Sequence, residues 1–273
     1  MSKENPLSAR EYVHVTNIEE YPNGIKLCTF PDGFRLYSLI NDVEAEFIYN
    51  EIIVKQEYNQ YGLTLEGANC IFDVGANIGV YTLFAKMRNP EATVYSFEPI
   101  PEICDVLRKN IVLHDVSGVE ILNVAVGDKD HSEKERVYYP HASGNSTAYP
   151  EIQEAEEKQK ALIEVFGEEK TKWFFEPEIR TVPVRTLSSV IKANHITRVD
   201  FLKIDVEGEE LAVLKGIDAE HHHFIKQIAI EVHSEQIMMK VRKLLGDMGF
   251  RVVSDIGISS FVGTATVFAI QIS

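Results

Sequence analysis

The sequence predicts an α/β fold: a mainly parallel sheet with helices on both faces. Three observations carry this. Short apolar runs alternate with helically spaced apolar residues, the first central run ends in a glycine turn that opens a helix, and the last two runs have no helix between them. At 273 residues, 45% hydrophobic and 25% charged, the chain suffices for one sizeable core with appendages.

Residues 1–65 read as a lead-in, 66–273 as the main domain, and about 128–180 as an insertion or lid within it. In the lead-in, Gly24, Pro31 and Gly33 break strand-like pieces such as Phe34–Leu39, and Val43, Phe47, Ile48 and Ile52 place one buried helical face between Asp42 and Gln56. Cys70–Val74 predicts a strand closed by Gly75, followed by helical spacing from Ile78 to Met87 that Asn89-Pro90 stops. Strand Thr93–Phe97, helix Pro101–His114 and strand Val119–Val126 repeat the unit. After the insertion it resumes with helix Leu187–Ala193, strand Val199–Ile204, helix Glu209–Leu214, strand Gln227–Val232 and helix Glu235–Met248. Phe250–Ser254 and Thr264–Ile270 should pair antiparallel at one edge.

Within the insertion lie Tyr138-Tyr139-Pro140, the small polar run Ser143–Thr147, an acid-rich helix over Glu151–Lys170, and Trp173-Phe174-Phe175. A solvated flap and a lid over substrate both fit this pattern, and the aromatics suit either an acceptor wall or the flap's own core.

Acids number 42 against 27 Lys plus Arg, a net charge of −15 that repels polyanions and counts against nucleic-acid binding. No apolar run reaches the ~20 residues of a membrane span, and Met1-Ser2-Lys3-Glu4-Asn5 lacks a signal-peptide core, so a cytoplasmic protein is expected. Cys28, Cys70 and Cys104 are an odd set without paired spacing, which argues for reduced thiols.

In open parallel sheets, ligands sit beyond the carboxyl ends of the strands. The first turn reads Asp73-Val74-Gly75-Ala76-Asn77-Ile78-Gly79-Val80, and Asn77 and Val80 stand where a dinucleotide fingerprint wants glycine. A nicotinamide oxidoreductase is therefore disfavoured. Gly75 and Gly79 still allow close backbone approach, Asp73 suits an ammonium group, and Glu98 ends the next strand, where an acid accepts from ribose hydroxyls. A nucleoside with an amino-acid tail satisfies both acids.

At these residues the sequence resembles the FkbM-type family of S-adenosylmethionine-dependent methyltransferases. The resemblance rests on Phe72 to Gly79, Ser96-Phe97-Glu98-Pro99, Asn123 to Gly127, Leu202-Lys203-Ile204-Asp205-Val206-Glu207-Gly208 with Glu210, and Glu231-Val232-His233, covering roughly residues 42–254. Tyr49-Asn50-Glu51-Ile52 with Tyr58 resembles the lead-in of members attached to polyketide and peptide assembly lines. The resemblance implies a Rossmann-like seven-stranded methyltransferase sheet, order 3-2-1-4-5-7-6 with the last strand antiparallel. It implies S-adenosyl-L-methionine as cofactor and S-adenosyl-L-homocysteine as product, with Asp73, Gly75, Asn77, Gly79, Glu98, Pro99, Asn123, Ala125, Asp205, Glu51 and Tyr58 as cofactor-binding candidates.

Methyl transfer to an alcohol needs an in-line approach and a base for the departing proton. Asp205 and Glu207 end the fourth strand, while Glu231 and His233 fall on one side of the fifth. His233, neutral at its ordinary pKa, is the expected general base, with Glu231 orienting it, Asp205 facing the methionine end and Glu207 touching the acceptor. The bland alternatives are a structural histidine at His233 and, at Glu207, an acid in a helix's first turn. No second histidine completes a familiar ligand set, so metal independence is expected, and His221-His222-His223 read as surface polar residues.

The function expected is O-methylation of a polyketide or peptide intermediate, possible on an acyl or peptidyl carrier that docks at Lys86 and Arg88 or at Lys240, Arg242 and Lys243. A sugar or glycolipid hydroxyl is the alternative acceptor. A non-catalytic cofactor-binding module is the alternative of another class.

Overall fold

A computed structural model describes residues 12–39, 42–153, 156–255 and 264–272. The chain opens with an antiparallel meander of β1 (Asn17–Glu20), β2 (Ile25–Thr29) and β3 (Arg35–Leu39), then helix α1 (Asp42–Tyr49), which continues as a π-helical turn over Asn50–Val54. The central units follow as β4 (Cys70–Val74), α2 (Val80–Arg88), β5 (Thr93–Phe97), α3 (Pro101–Leu113) and β6 (Val119–Leu122). Between β6 and the next main-sheet unit come β7 (Ala125–Val126), β8 (His131–Tyr138), α4 (Pro150–Gln153), α5 (Glu156–Phe166), α6 (Glu168–Phe174) and β9 (Glu178–Arg185). The chain then runs through α7 (Leu187–Ala193), β10 (Phe201–Ile204), α8 (Glu210–Lys215), β11 (Gln227–Val232), α9 (Glu235–Asp247), β12 (Phe250–Asp255) and β13 (Ala265–Gln271).

Seven strands form the main sheet in the order β12-β13-β11-β10-β4-β5-β6, with β13 antiparallel to both its neighbours. This is the sheet the sequence predicted; the loop joining its last two strands lies outside the described residues. The central strands are buried on both faces, which accounts for their nearly continuous apolar sequence. Phe72, Leu202, Ile204, Ile228 and Ile230 meet the helix-covered core that includes Leu187, Val213 and Val241, while Ile71, Phe201 and Ala229 face the core shared with α1, α2 and the amino-terminal meander. Asn110 on α3 ties that meander down, accepting from Tyr37 N at 2.7 Å and donating to Tyr37 O at 2.9 Å and Ile78 O at 2.8 Å.

The pleat places the chemistry. Residues 73, 203, 205 and 231 share the parity of Ile71, Phe201 and Ala229, so Asp73, Lys203, Asp205 and Glu231 all project toward the α1 and α2 side. Lys203 pairs in register with Asp73 on one neighbouring strand and Ala229 on the other, so an acid stands beside it on one side and a small residue leaves room on the other.

Two predicted elements are corrected. Val119–Val126 is not one strand: the Asn123 side chain donates to Glu98 O and Pro99 O, both at 2.9 Å, and turns the chain so that β6 ends the main sheet while β7 joins β9 and β8 in a separate one. The helix expected over Glu151–Lys170 is interrupted at Gly167, whose φ of +84° separates α5 from α6, while residues 154–155 lie outside the described residues. The strands β8 and β9 had no clear signature because five consecutive residues of β8, His131–Glu135, are exposed and carry no alternation.

Gly75 lies at φ +79°, and a Cβ there would stand 1.7 Å from the Asp205 carbonyl oxygen. Gly67 has a similar φ of +73° with nothing within 4 Å. Gly75→Ala is therefore expected to cost roughly 3 kcal/mol or more, and Gly67→Ala only about 1 kcal/mol, in urea unfolding.

Candidate active site

Strand β4 delivers the chain into a turn whose first two amides, Gly75 N and Ala76 N, both donate to Phe97 O at 3.0 and 2.9 Å. The next amide, Asn77 N, donates to Glu98 Oε2 at 3.0 Å, and Ile100 N donates to Glu98 Oε1 at 2.9 Å. Glu98 is thus fixed between two turns, and burial pushes its pKa up to about 7. Gly75, Asn77, Glu98, Pro99, Ala125 and Asp205 line a cleft of ≈ 660 Å³, counting its open mouth, at the carboxyl ends of β4, β5 and β10.

The other side of the cleft is built by the insertion. Ser143, Gly144, Ser146, Thr147 and Ala148 line it, as do Arg136 and Glu209. Ser143 Oγ donates to Glu44 Oε1 at 3.0 Å, Gly144 N donates to the same oxygen, and the Thr147 hydroxyl donates to Glu207 O. The small polar run therefore acts as a strap between α1 and the turn after β10. Arg136 and Glu209 form a buried ion pair at 2.5 Å.

Beneath the cleft lies Lys203. Its Nζ donates to Gly75 O at 2.7 Å and stands 3.4 Å from both Asp73 Oδ1 and Asp205 Oδ2, under the rings of Tyr58 and Tyr81. Burial alone would lower its pKa; Asp205 and then Asp73 outweigh that and raise it. Asp73 does not reach the cleft. It has no exposed surface, accepts from the Thr82 hydroxyl at 2.7 Å, and its role facing an ammonium is replaced by one holding Lys203. Gly79 packs behind the turn on Leu107, and Asn123 braces the Glu98-Pro99 backbone.

Tyr58, Glu51, Glu231 and His233 form an adjoining cluster. The Tyr58 hydroxyl donates to Glu231 Oε2 at 2.6 Å and lies 3.2 Å from Asp205 Oδ2, bridging strands β11 and β10. Burial, then Asp205, pushes Glu231 up to about 7; burial, then Glu231, raises Glu51 well above the carboxylate range. His233 Nδ1 meets Glu210 Oε1 at 2.7 Å, and Nε2 stands 3.1 Å from Glu207 Oε2. Burial would depress the imidazole, but Glu207 and then Glu210 raise its pKa well above its ordinary value. That direction counts against the neutral base expected of His233. Glu210 also accepts from Gly208 N at 2.9 Å, so one buried carboxylate fixes both the turn and the ring.

Asp205, Glu231 and His233 each bring one ligating atom within 4.8 Å of the others. Elsewhere, Tyr49 stacks on Phe30 and donates to Asp32 at 2.7 Å, so it packs the helix. Lys86 is not a surface cation: it is buried and donates to Pro90 O and Ala92 O. His221 is likewise buried, 2.8 Å from Ser188 Oγ, while His223 is exposed. Tyr139, Ala142 and Phe174 form the insertion's own small core, with Trp173 stacked on His141. Arg136, which lines the cleft, and Lys203, which lies beneath it, were given no role in the sequence reading. Lys203 had a signal, a lone cation inside the apolar strand Phe201–Ile204.

The reversed β13 in a seven-stranded sheet, with a cleft at the carboxyl ends of β4, β5 and β10, is the architecture that the resemblance to S-adenosylmethionine-dependent methyltransferases implies. Comparison with known proteins gives the family. Residues 73–252 match the model described as the methyltransferase FkbM domain. The chain is 35% identical over 244 residues to the 31-O-demethyl-FK506 methyltransferase FkbM of Streptomyces tacrolimicus, covering 85% of this chain and 91% of that protein. It is 34% identical over 233 residues to methyltransferase sdnD of Sordaria araneosa, covering 80% and 87%. It is also 30% identical over 220 residues to the AMB antimetabolite synthetase AmbE of Pseudomonas aeruginosa, covering 76% of this chain and 10% of that protein. The protein belongs to the FkbM methyltransferase family.

Two predictions follow from this geometry. Lys203→Met leaves Asp73 and Asp205 without their buried cation and should cost about 3–5 kcal/mol in urea unfolding, part of which Asp73→Asn restores. Glu98 holds its proton more tightly folded than unfolded, so its contribution to stability is complete below about pH 4.5 and lost as pH rises through about 7. Comparing urea unfolding across that window, Glu98→Gln should flatten the pH dependence by on the order of 3 kcal/mol.

Proposed function

We propose that the protein transfers a methyl group from S-adenosylmethionine to a hydroxyl of a polyketide or peptide intermediate, presented on an acyl or peptidyl carrier protein. The observation that carries this reading is the continuity of the cleft with the acid cluster: Asp205 lines the cleft and meets Tyr58, which bonds Glu231. The relative named for methylating 31-O-demethyl-FK506 and the one named as an antimetabolite synthetase support the oxygen acceptor and the assembly-line setting.

The cleft's donor set fits the cofactor. Each Glu98 oxygen accepts one backbone N–H, which leaves a lone pair on each for a pair of ribose hydroxyls. Gly75 lets the ligand approach the backbone, Asn77 and Pro99 shape the wall, Ala125 with Ile100 and Val124 offers an apolar surface for a base, and Asp205 presents a part-exposed carboxylate to the ammonium end. Asp73, Gly79 and Asn123 hold these groups from behind. Glu51 and Tyr58 close the amino-terminal side. When bound, the sulfonium supplies an electrophilic methyl group.

The acceptor's proton is received in the cluster formed by Asp205, Glu231 and Tyr58, where Glu231 exchanges a proton near neutrality. His233, flanked by Glu207 and Glu210, orients that cluster. Substrate choice belongs to the lead-in over residues 1–65 and to the insertion over 128–180, around the main domain over 66–273. Lys240, Arg242 and Lys243 lie on the exposed side of α9, where an acidic carrier would find basic partners.

Saturating S-adenosylhomocysteine at about a hundred times its dissociation constant should add about 2.7 kcal/mol of stability, read as a rise in melting temperature. Incubation with S-adenosylmethionine and a panel of carrier-tethered hydroxyacyl chains, free chains and sugars should add one methyl to a tethered chain by mass spectrometry. A flat melting titration together with no methylated acceptor would overturn the reading.

A further inference from the structure

The acid cluster beside the cleft is out of balance. Asp205, Glu207, Glu210, Glu231 and Glu51 gather around two cationic groups, Lys203 and His233, and Lys203 is already engaged by Asp73 and the Gly75 carbonyl. Packing this many carboxylates into a poorly solvated space is costly unless a cation joins them.

A second, independent observation marks where that cation belongs. The His233 side chain is 2% exposed, and its Nε2 is buried without a hydrogen bond; the nearby Glu207 oxygen at 3.1 Å lacks hydrogen-bonding geometry. The other ring nitrogen, Nδ1, is held by Glu210 Oε1 at 2.7 Å. A carboxylate on one nitrogen fixes the ring's orientation and tautomer and turns the other nitrogen's lone pair outward, which is how metal-bound imidazoles are held from behind. Glu210 is itself fixed by Gly208 N, so the ring cannot easily turn away.

We propose that Asp205, Glu231 and His233 form a binding site for a divalent first-row metal ion, with Glu210 as the group that orients His233. The three ligating atoms lie within 4.8 Å of one another. Atoms sharing one ion at about 2.1 Å are at most ~4.2 Å apart, so small side-chain rotations complete the site. Two carboxylate oxygens and one imidazole nitrogen are a mixed donor set that suits Mn²⁺ or Zn²⁺ better than a purely oxygen-seeking ion. The ion takes the place of the proton on Nε2. Asp205 also lines the cleft, so the ion's remaining positions open toward it, and a hydroxyl oxygen of the acceptor fits there.

The ion's use in methyl transfer rests on the function proposed above; its binding does not. The test is therefore binding of Mn²⁺ to chelator-treated full-length protein, read by loss of the free-ion electron paramagnetic resonance signal without cofactor or acceptor. Wild type should bind one ion per chain. Asp205→Asn and Glu231→Gln, which keep side-chain shape, should each weaken binding tenfold or more, as should His233→Ala, with circular dichroism verifying that each variant is folded. Asp218→Asn, in the separate Asp218, Glu220 and His221 group, should leave binding unchanged. No binding by wild type at millimolar Mn²⁺, or binding that survives the first three variants, would overturn the site. So would loss confined to Asp218→Asn. Methylation by an enzyme that fails to bind the ion would remove this inference and leave the proposed function standing.

Discussion

The ammonium of Lys203 is the contact on which the site's architecture depends. It sits inside a parallel strand where the pleat would otherwise place a hydrocarbon, and it is held there by Asp73 on the next strand, Asp205 two residues on, and the Gly75 carbonyl. These three partners belong to the end of β4, the end of β10 and the glycine turn. One buried charge therefore joins the two strand ends between which the cleft opens. Gly75 makes the approach possible, since any side chain at that position would strike the Asp205 backbone.

From this point the electrostatics spread outward in order. Asp205, partly neutralised by Lys203, stands next to the Tyr58 hydroxyl, which in turn bonds Glu231. Tyr58 has one proton and two carboxylate neighbours, so the arrangement is best satisfied when Glu231 carries a proton part of the time, in keeping with its raised pKa. His233 and its two glutamates form a second layer, and Glu207 is held at φ +49° to reach it. A left-handed glutamate is a strained choice that the following Gly208 and the Thr147 contact to its carbonyl help to sustain.

Much of the fold was legible because parallel strands buried on both faces read as apolar runs, and because Gly75, Pro101 and the gap without a helix near the end are local signals. Glu98 and Asp205 were legible as strand-end acids for the same reason. The insertion's strands were not, since β8 owes its pairing to β9 rather than to any alternation of its own. The surroundings of His233 were also out of reach: they depend on Glu207 and Glu210, whose approach to β11 is set by a turn with two positive φ angles. Asp73 shows the limit from the other side. Its position at a strand end suggested a ligand contact, and only the register with Lys203 reveals that the carboxylate is turned inward.

The reversed strand β13 has a consequence for how the chain reaches this state. It lies between β11 and β12, so β12, although made earlier, meets the sheet only through it. Until residues 265–271 have left the ribosome, β11 keeps one edge open, with Ile228 and Ile230 lacking the cover that Val267 and Ala269 provide. Between the emergence of β11 and that of β13 the nascent chain thus carries an unpaired apolar strand edge, the kind of surface on which chaperones act and from which aggregation starts.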